Sequence, residues 1–197
     1  MKPEFYYPAK PYIVNQEWGT SHPEIYSQFG FTRHNGVDIR LGTDKTLYAP
    51  FSGYVVRIGN QPKGGGIFLG LMSAREYTFP DGVTCRVLVD LLHCERLLVT
   101  EGQSVTVGDK VAIADNTGFS TGEHTHCQFR RAKNWNNLAG DNLKWEEVDK
   151  NEANNSFDPT PYWTHFYAVD YTQAKEIENK VSMLQKAVDL LKQLFKK

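Results

Sequence analysis

Val83-Thr84-Cys85-Arg86-Val87-Leu88-Val89-Asp90-Leu91-Leu92 is a run of mostly apolar and β-branched residues, opened by the turn signal Pro80-Asp81-Gly82 and closed by His93. Its length and composition are those of a strand bounded by turns. Shorter segments of the same kind lie upstream at Thr46–Ala49, Gly53–Ile58 and Ile67–Leu71, and downstream at Ser104–Val107 and Lys110–Ala114. Between them stand turn formers: Asn35-Gly36, Pro50, Pro62 to Gly66, and Val107-Gly108-Asp109. From about Tyr12 to Arg130 no helical period interrupts this pattern, so the block reads as mainly β, a compact antiparallel β-sheet domain.

Outward from that block the character changes twice. Residues 131–169 are rich in Asn, carry Trp135, Trp145 and Trp163, and end in Asp158-Pro159-Thr160-Pro161-Tyr162-Trp163; they read as a long loop that packs back through its aromatics. Beyond it, Ile177, Val181, Leu184, Val188, Leu191 and Phe195 are spaced alternately four and three apart, the heptad seam of an amphipathic α-helix over about 171–195. Asp170 with Gln173 forms a capping pair at its start, and lysines crowd its end, where the helix dipole favours them. The expected division is a β domain over 1–169, with its core over about 17–130, and a C-terminal helix over 170–197.

Ala187 and Leu194 widen the apolar stripe toward the end of that helix. A wide stripe suits docking on a surface or a bundle of more than two helices better than a two-stranded coiled coil. Packing on the chain's own β domain, self-association as a homo-oligomer, and docking on a partner or a membrane surface all fit the pattern.

Bulk properties narrow the function classes. With 197 residues, 40% of them hydrophobic, the chain is long and apolar enough for a real core. A formal net charge of −1 supplies no basic field for nucleic acid, and none is expected as a partner. No apolar run approaches the roughly 18 residues of a transmembrane segment. Met1 to Pro8 lack the apolar stretch of a secretory signal, so synthesis in a cytoplasm is expected, with any exit by another route. Cys85, Cys94 and Cys127 are odd in number and contain no C-x-x-C pair, which points to three reduced, buried thiols.

The chemistry-bearing residues are histidines. In His124-Thr125-His126, alternate side chains on a strand share a face, so both imidazoles point one way while Thr125 and Cys127 point into the opposite layer. Such a pair serves one metal centre with both rings as ligands, or with one as ligand and the other as an acid beside it. In His34-Asn35-Gly36-Val37-Asp38, the Asn-Gly turn bends the chain so that an imidazole and a carboxylate can reach one ion. Together the two segments supply three nitrogen or oxygen ligands, leaving a fourth position open, as in catalytic zinc sites. His93, closing its apolar strand, gains interest only in their company. His22 and His165 have no partner at ligand spacing, and Arg130, Arg131 and Lys133 read as a solvated basic cluster. Gly64-Gly65-Gly66 lacks the Lys-Ser/Thr of a phosphate loop and reads as a flexible hairpin beside the groove.

The order H-x-x-x-D, strand-borne His, H-x-H resembles that of the lysostaphin-type (LytM-type) zinc peptidoglycan metalloendopeptidases. Arg33 to Arg40 is similar to the family's H-x-G-x-D-I segment, Leu47 to Val55 to its V-x-A-x-x-x-G-x-V strands, and Glu101 to Val111 to its G-x-x-V-x-x-G-x-x-V repeat. Gly118-Phe119-Ser120-Thr121-Gly122-Glu123-His124-Thr125-His126 matches its T-G-x-S-T-G-x-H-x-H signature, the most specific piece. The resemblance runs over about 17–130 and implies a lysostaphin-like fold of the duplicated-hybrid-motif type. It implies one Zn2+ per chain held by His34, Asp38 and His126, with His93 and His124 as the unligated catalytic pair. Glu123, where the family often has proline, and Cys94, where leucine is usual, are departures that bear on the shape of the groove.

What the resemblance implies is hydrolysis of peptide cross-links or stem peptides in bacterial peptidoglycan, by an enzyme that acts on the wall after release. A phage endolysin or a virion-associated lysin would fit. The alternative is a non-catalytic or weakly catalytic scaffold or regulator of the same family, acting through its C-terminal helix.

Overall fold

The computed structural model of the protein describes residues 1–135, 146–148 and 156–164, together with Lys180 and Met183. In chain order the strands are β1 (Phe5–Tyr6), β2 (Val14–Gln16), β3 (Val37–Arg40), β4 (Thr46–Tyr48), β5 (Gly53–Gln61), β6 (Gly66–Ser73), β7 (Tyr77–Thr78), β8 (Thr84–Leu97), β9 (Ser104–Val105), β10 (Lys110–Ala114), β11 (His124–Lys133), β12 (Glu146–Glu147) and β13 (Trp163–Thr164). A single turn of helix, α1 (Pro23–Tyr26), precedes β3. The main sheet has the order β2-β3-β11-β8-β6-β5-β9. Its pairings are antiparallel, as the turn-punctuated sequence implies.

The long strand β8 is the spine. Cys85, Val87, Val89 and Leu91 enter the main core, while Leu88 joins Val56, Met72 and Ala132 in a smaller cluster. A strand buried on both faces needs no polar alternation, which explains the near-continuous apolar run from Val87 to Leu92. The strand does not stop at Leu92 as its sequence suggests. It continues to Leu97 across an irregularity: Leu69 of β6 faces Leu91, yet Ile67 faces Cys94. Two residues on β6 therefore span three on β8, a β-bulge, and His93 within it has a φ of 63°. The extra residue lets Leu91 and Cys94 both enter the core although they are three apart. A left-handed backbone at a residue other than Gly costs of order 1–3 kcal/mol, and the surrounding contacts must hold it.

Residues before Tyr12 also enter the core. Phe5, Tyr7 and Ala9 are buried, and β1 pairs with β13 in parallel, Phe5 opposite Trp163. Phe5 packs on Phe51, Tyr77, Phe129 and Phe157. Complete burial of such a side chain is worth roughly 1.5–3 kcal/mol. The aromatics at 157–163 thus do pack back onto the sheet.

The basic cluster differs from its sequence reading. Arg130 is bound to Asp90 at 2.8 Å, and Arg131 to Asp81 at 2.6 Å. Asp90 is buried and also receives Arg57 through Nε at 2.9 Å. A carboxylate in that position requires partners, since an unpaired buried charge is prohibitive.

Cys85, Cys94 and Cys127 are free and buried. Burial pushes the Cys94 thiol up to about 12 and raises that of Cys127, so both are protonated at neutral pH. Among the described residues no helix is long and apolar enough to cross a membrane. The expected helix over 171–195 lies outside the described residues apart from Lys180 and Met183, both exposed.

Candidate metal centre

The site is assembled by the β3–β11 pairing. Its register sets Asp38 opposite His126 and Arg40 opposite His124, so Asp38 and both histidines of H-x-H share one sheet face. Thr125 and Cys127 are fully buried on the other face. His34 sits just before β3, where its backbone N–H donates to Thr20 and its carbonyl accepts from Gly19. Tyr26 of α1 stacks on its ring, with centroids 5.5 Å apart.

His34 Nε2 lies 3.1 Å from Asp38 Oδ1 and 3.0 Å from His126 Nδ1, and His126 Nδ1 lies 2.9 Å from Asp38 Oδ1. One ligand-type atom from each of the three residues falls within 4.8 Å of the others. Gly36 has a role beyond its turn. A Cβ there would stand 2.5 Å from His126 Nε2 and 2.7 Å from the Cys127 carbonyl oxygen. Only glycine leaves room for the His126 ring.

The electrostatics fit a cation. His34 Nδ1 is 3.0 Å from the carbonyl oxygen of Glu17. A carbonyl only accepts, so Nδ1 carries a hydrogen, and Nε2 is the nitrogen turned toward the other two residues. Burial works to raise the pKa of the Asp38 carboxyl, but hydrogen bonds from His126 and His34 outweigh it and hold the group well below the usual carboxylate range. Burial lowers the pKa of His126 and keeps its ring neutral. Two imidazoles and one carboxylate, converging on a point, are a donor set that suits zinc.

His93 and His124 stand beside this triad. Their ring centroids are 4.7 Å apart, and His93 is 6.4 Å from His126. His124 Nε2 lies 3.7 Å from Asp38 Oδ1. Each ring is anchored through Nδ1 to a backbone carbonyl, His93 to Thr117 at 2.7 Å and His124 to Gly122 at 2.8 Å. In both rings Nδ1 therefore carries a hydrogen committed to the backbone, which leaves Nε2 as the nitrogen for other partners. Burial pushes the His93 pKa down to about 4, so it is neutral at pH 7.

All five site residues expected from sequence thus converge at one end of the β3–β11–β8 face. His22 lies elsewhere, exposed and 3.2 Å from Glu24, and His165 lies outside the described residues. Of the two departures from the family pattern, Cys94 faces the core and does not line the groove. Glu123 is held by Lys45 at 2.5 Å, which also reaches Asp115 at 3.2 Å. The Gly64–Gly66 turn is fastened on both sides, its carbonyls accepting from His93 and Phe119. The close packing of Tyr26 and Gly36 on the metal-site rings had no distinct sequence signal beyond the Asn-Gly turn.

Comparison with known proteins agrees with this geometry. A family model described as peptidase family M23 matches residues 32–138. The peptidoglycan DD-endopeptidase ShyA of Vibrio cholerae is 29% identical over 96 residues, which is 49% of this chain and 20% of that protein. Among solved structures, a zinc-containing peptidase from Vibrio cholerae superimposes with a TM-score of 0.51 at 26% identity, covering 65% of this chain and 37% of that one. The catalytic domain of lysostaphin from Staphylococcus simulans shares the fold, with a TM-score of 0.50 at 24% identity over 77% of this chain and 91% of that domain. The chain spans about a fifth of the length of the curated relatives it matches.

Proposed function

We propose, since this chain belongs to peptidase family M23, that it is a zinc-dependent endopeptidase that hydrolyses peptide cross-links or stem peptides of bacterial peptidoglycan. The observation that carries the reading is the convergence of His34, Asp38 and His126 within 4.8 Å, beside two imidazoles that are not part of the triad. The likeness to a peptidoglycan endopeptidase supports the substrate class. A non-catalytic scaffold would have no use for an intact donor set joined to a second histidine pair.

His34 through Nε2, His126 through Nδ1 and Asp38 through a carboxylate oxygen would hold the ion. Zinc, when bound, supplies a Lewis acid that polarises the scissile carbonyl and activates water near neutral pH. The chain's own residues do the proton work. With Nδ1–H committed to a carbonyl, each of His93 and His124 presents Nε2 to the reacting atoms. One takes the proton of the attacking water there. The other, once protonated, donates to the oxyanion or to the leaving amine.

Digestion of purified muropeptides, weighed by mass spectrometry, tests this reading. Cleavage into two peptides whose masses sum to the parent plus one water is expected, abolished by a chelator and restored by Zn2+. The fragments also identify the bond, whether a glycyl-glycine bridge or a D-alanyl cross-link. Muropeptides left intact at high enzyme concentration, or cut equally well with chelator, would refute it.

A further inference from the structure

The left-handed conformation of His93 raises the question of what holds it, since nothing in its local sequence favours a bulge there. Three polar points of the residue are fastened. Its N–H donates to Gly65 at 2.8 Å, its carbonyl accepts from Asp115 at 2.9 Å, and its ring Nδ1 donates to the Thr117 carbonyl at 2.7 Å.

Thr117 does more than offer that carbonyl. Its hydroxyl accepts from the Ile67 N–H at 3.0 Å and donates to the Cys94 carbonyl at 2.7 Å. Ile67 and Cys94 face each other across β6 and β8 at the register shift. The hydroxyl is thus inserted between two strands at the point where the bulge disturbs their ladder, satisfying a donor on one and an acceptor on the other. Glycines hold Thr117 in place. A side chain on Gly66 would collide with Thr117, and one on Gly118 with the backbone of Gly64 and Gly66.

From this arrangement we infer that Thr117 is a positioning residue for His93: its hydroxyl bridges β6 and β8 beside the bulge, and its carbonyl fixes the His93 tautomer so that Nε2 faces the reaction. The inference rests on the reading of His93 as a proton-transfer group, but the structural part is separable from it. The Thr117 hydroxyl is committed to Ile67 and Cys94 rather than to the metal triad. Its effect on turnover is exerted through the orientation of His93.

Two variants of the full chain separate the hydroxyl from the bulk of the side chain. Thr117→Val keeps the shape and removes both hydrogen bonds of the hydroxyl, whereas Thr117→Ser keeps them. For Thr117→Val, kcat on muropeptides falls on the order of 10- to 100-fold with KM and zinc content little changed; Thr117→Ser recovers most of it. The second readout is independent of turnover. Long-range nitrogen–proton correlation spectra of the imidazoles show His93 with hydrogen on Nδ1 in the wild type and in Thr117→Ser, and a mixture of tautomers in Thr117→Val. A Thr117→Val protein with wild-type kcat and an unchanged His93 tautomer overturns the inference. So does a Thr117→Ser protein as impaired as Thr117→Val, which also covers the case in which the valine variant fails to fold. If wild-type protein cleaves no muropeptide yet the tautomer shifts as described, the hydrolase reading fails and the hold of Thr117 on His93 stands.

Discussion

Replacing His126 with Ala is expected to abolish zinc binding and hydrolysis together. His126 Nδ1 lies 2.9 Å from Asp38 Oδ1 and 3.0 Å from His34 Nε2, at the centre of the triad. Without it, two protein donors remain where a catalytic zinc site uses three. The bound zinc should fall to under about a tenth of an equivalent, and kcat/KM by at least about a thousandfold, which is roughly 4 kcal/mol of transition-state stabilisation. The comparison belongs with metal-free wild type, because metal binding itself stabilises the fold. His126→Ala should melt close to the metal-free wild type and gain nothing from added Zn2+. A fully active His126→Ala protein would remove this residue from the ligand set.

Replacing His93 with Ala should separate the two properties that His126→Ala loses together. His93 reaches the site from β8 and the bulge, and its ring lies 6.4 Å from that of His126, outside the triad. Zinc content should therefore stay near one equivalent. Turnover should fall about 10²- to 10⁴-fold, the usual contribution of a positioned acid or base. The loss should appear in kcat, because the group acts on the proton in flight and contributes little to ground-state binding. Alanine must adopt the same left-handed backbone, so the variant shares the strain of the wild type. His93→Ala that loses zinc as completely as His126→Ala would make His93 a ligand, and the division of roles proposed here would be wrong.

The two sets of residues also differ in how visible they were before the fold was known. The strands are legible because alternation and turn chemistry are local: β10 is found at Lys110–Ala114 as its sequence suggests, and β5 and β6 begin within a residue of their expected starts. The shared face of His124 and His126 follows from strand periodicity alone. What escaped the sequence was long-range. The bulge at His93 has no compositional mark, because its extra residue is accommodated by Gly65 from one other segment and by Asp115 and Thr117 from a second. Gly36 reads as a turn residue, although the ring it must avoid comes from β11. Arg130 reads as solvated because its partner Asp90 is brought to it only by the β8–β11 pairing. Phe5 enters the core through a parallel pairing with β13, which no local pattern announces.

In the proposed enzyme, hydrolysis depends on a zinc ion held by His34, Asp38 and His126. Elemental analysis of the full chain after gentle purification, with peptidoglycan cleavage followed on the same samples, tests it most directly. One equivalent of zinc per chain is expected, with activity lost in proportion as a chelator removes the metal and regained as Zn2+ is returned. Full cleavage of peptidoglycan by protein stripped of metal would rule out a metal-dependent hydrolysis at this site.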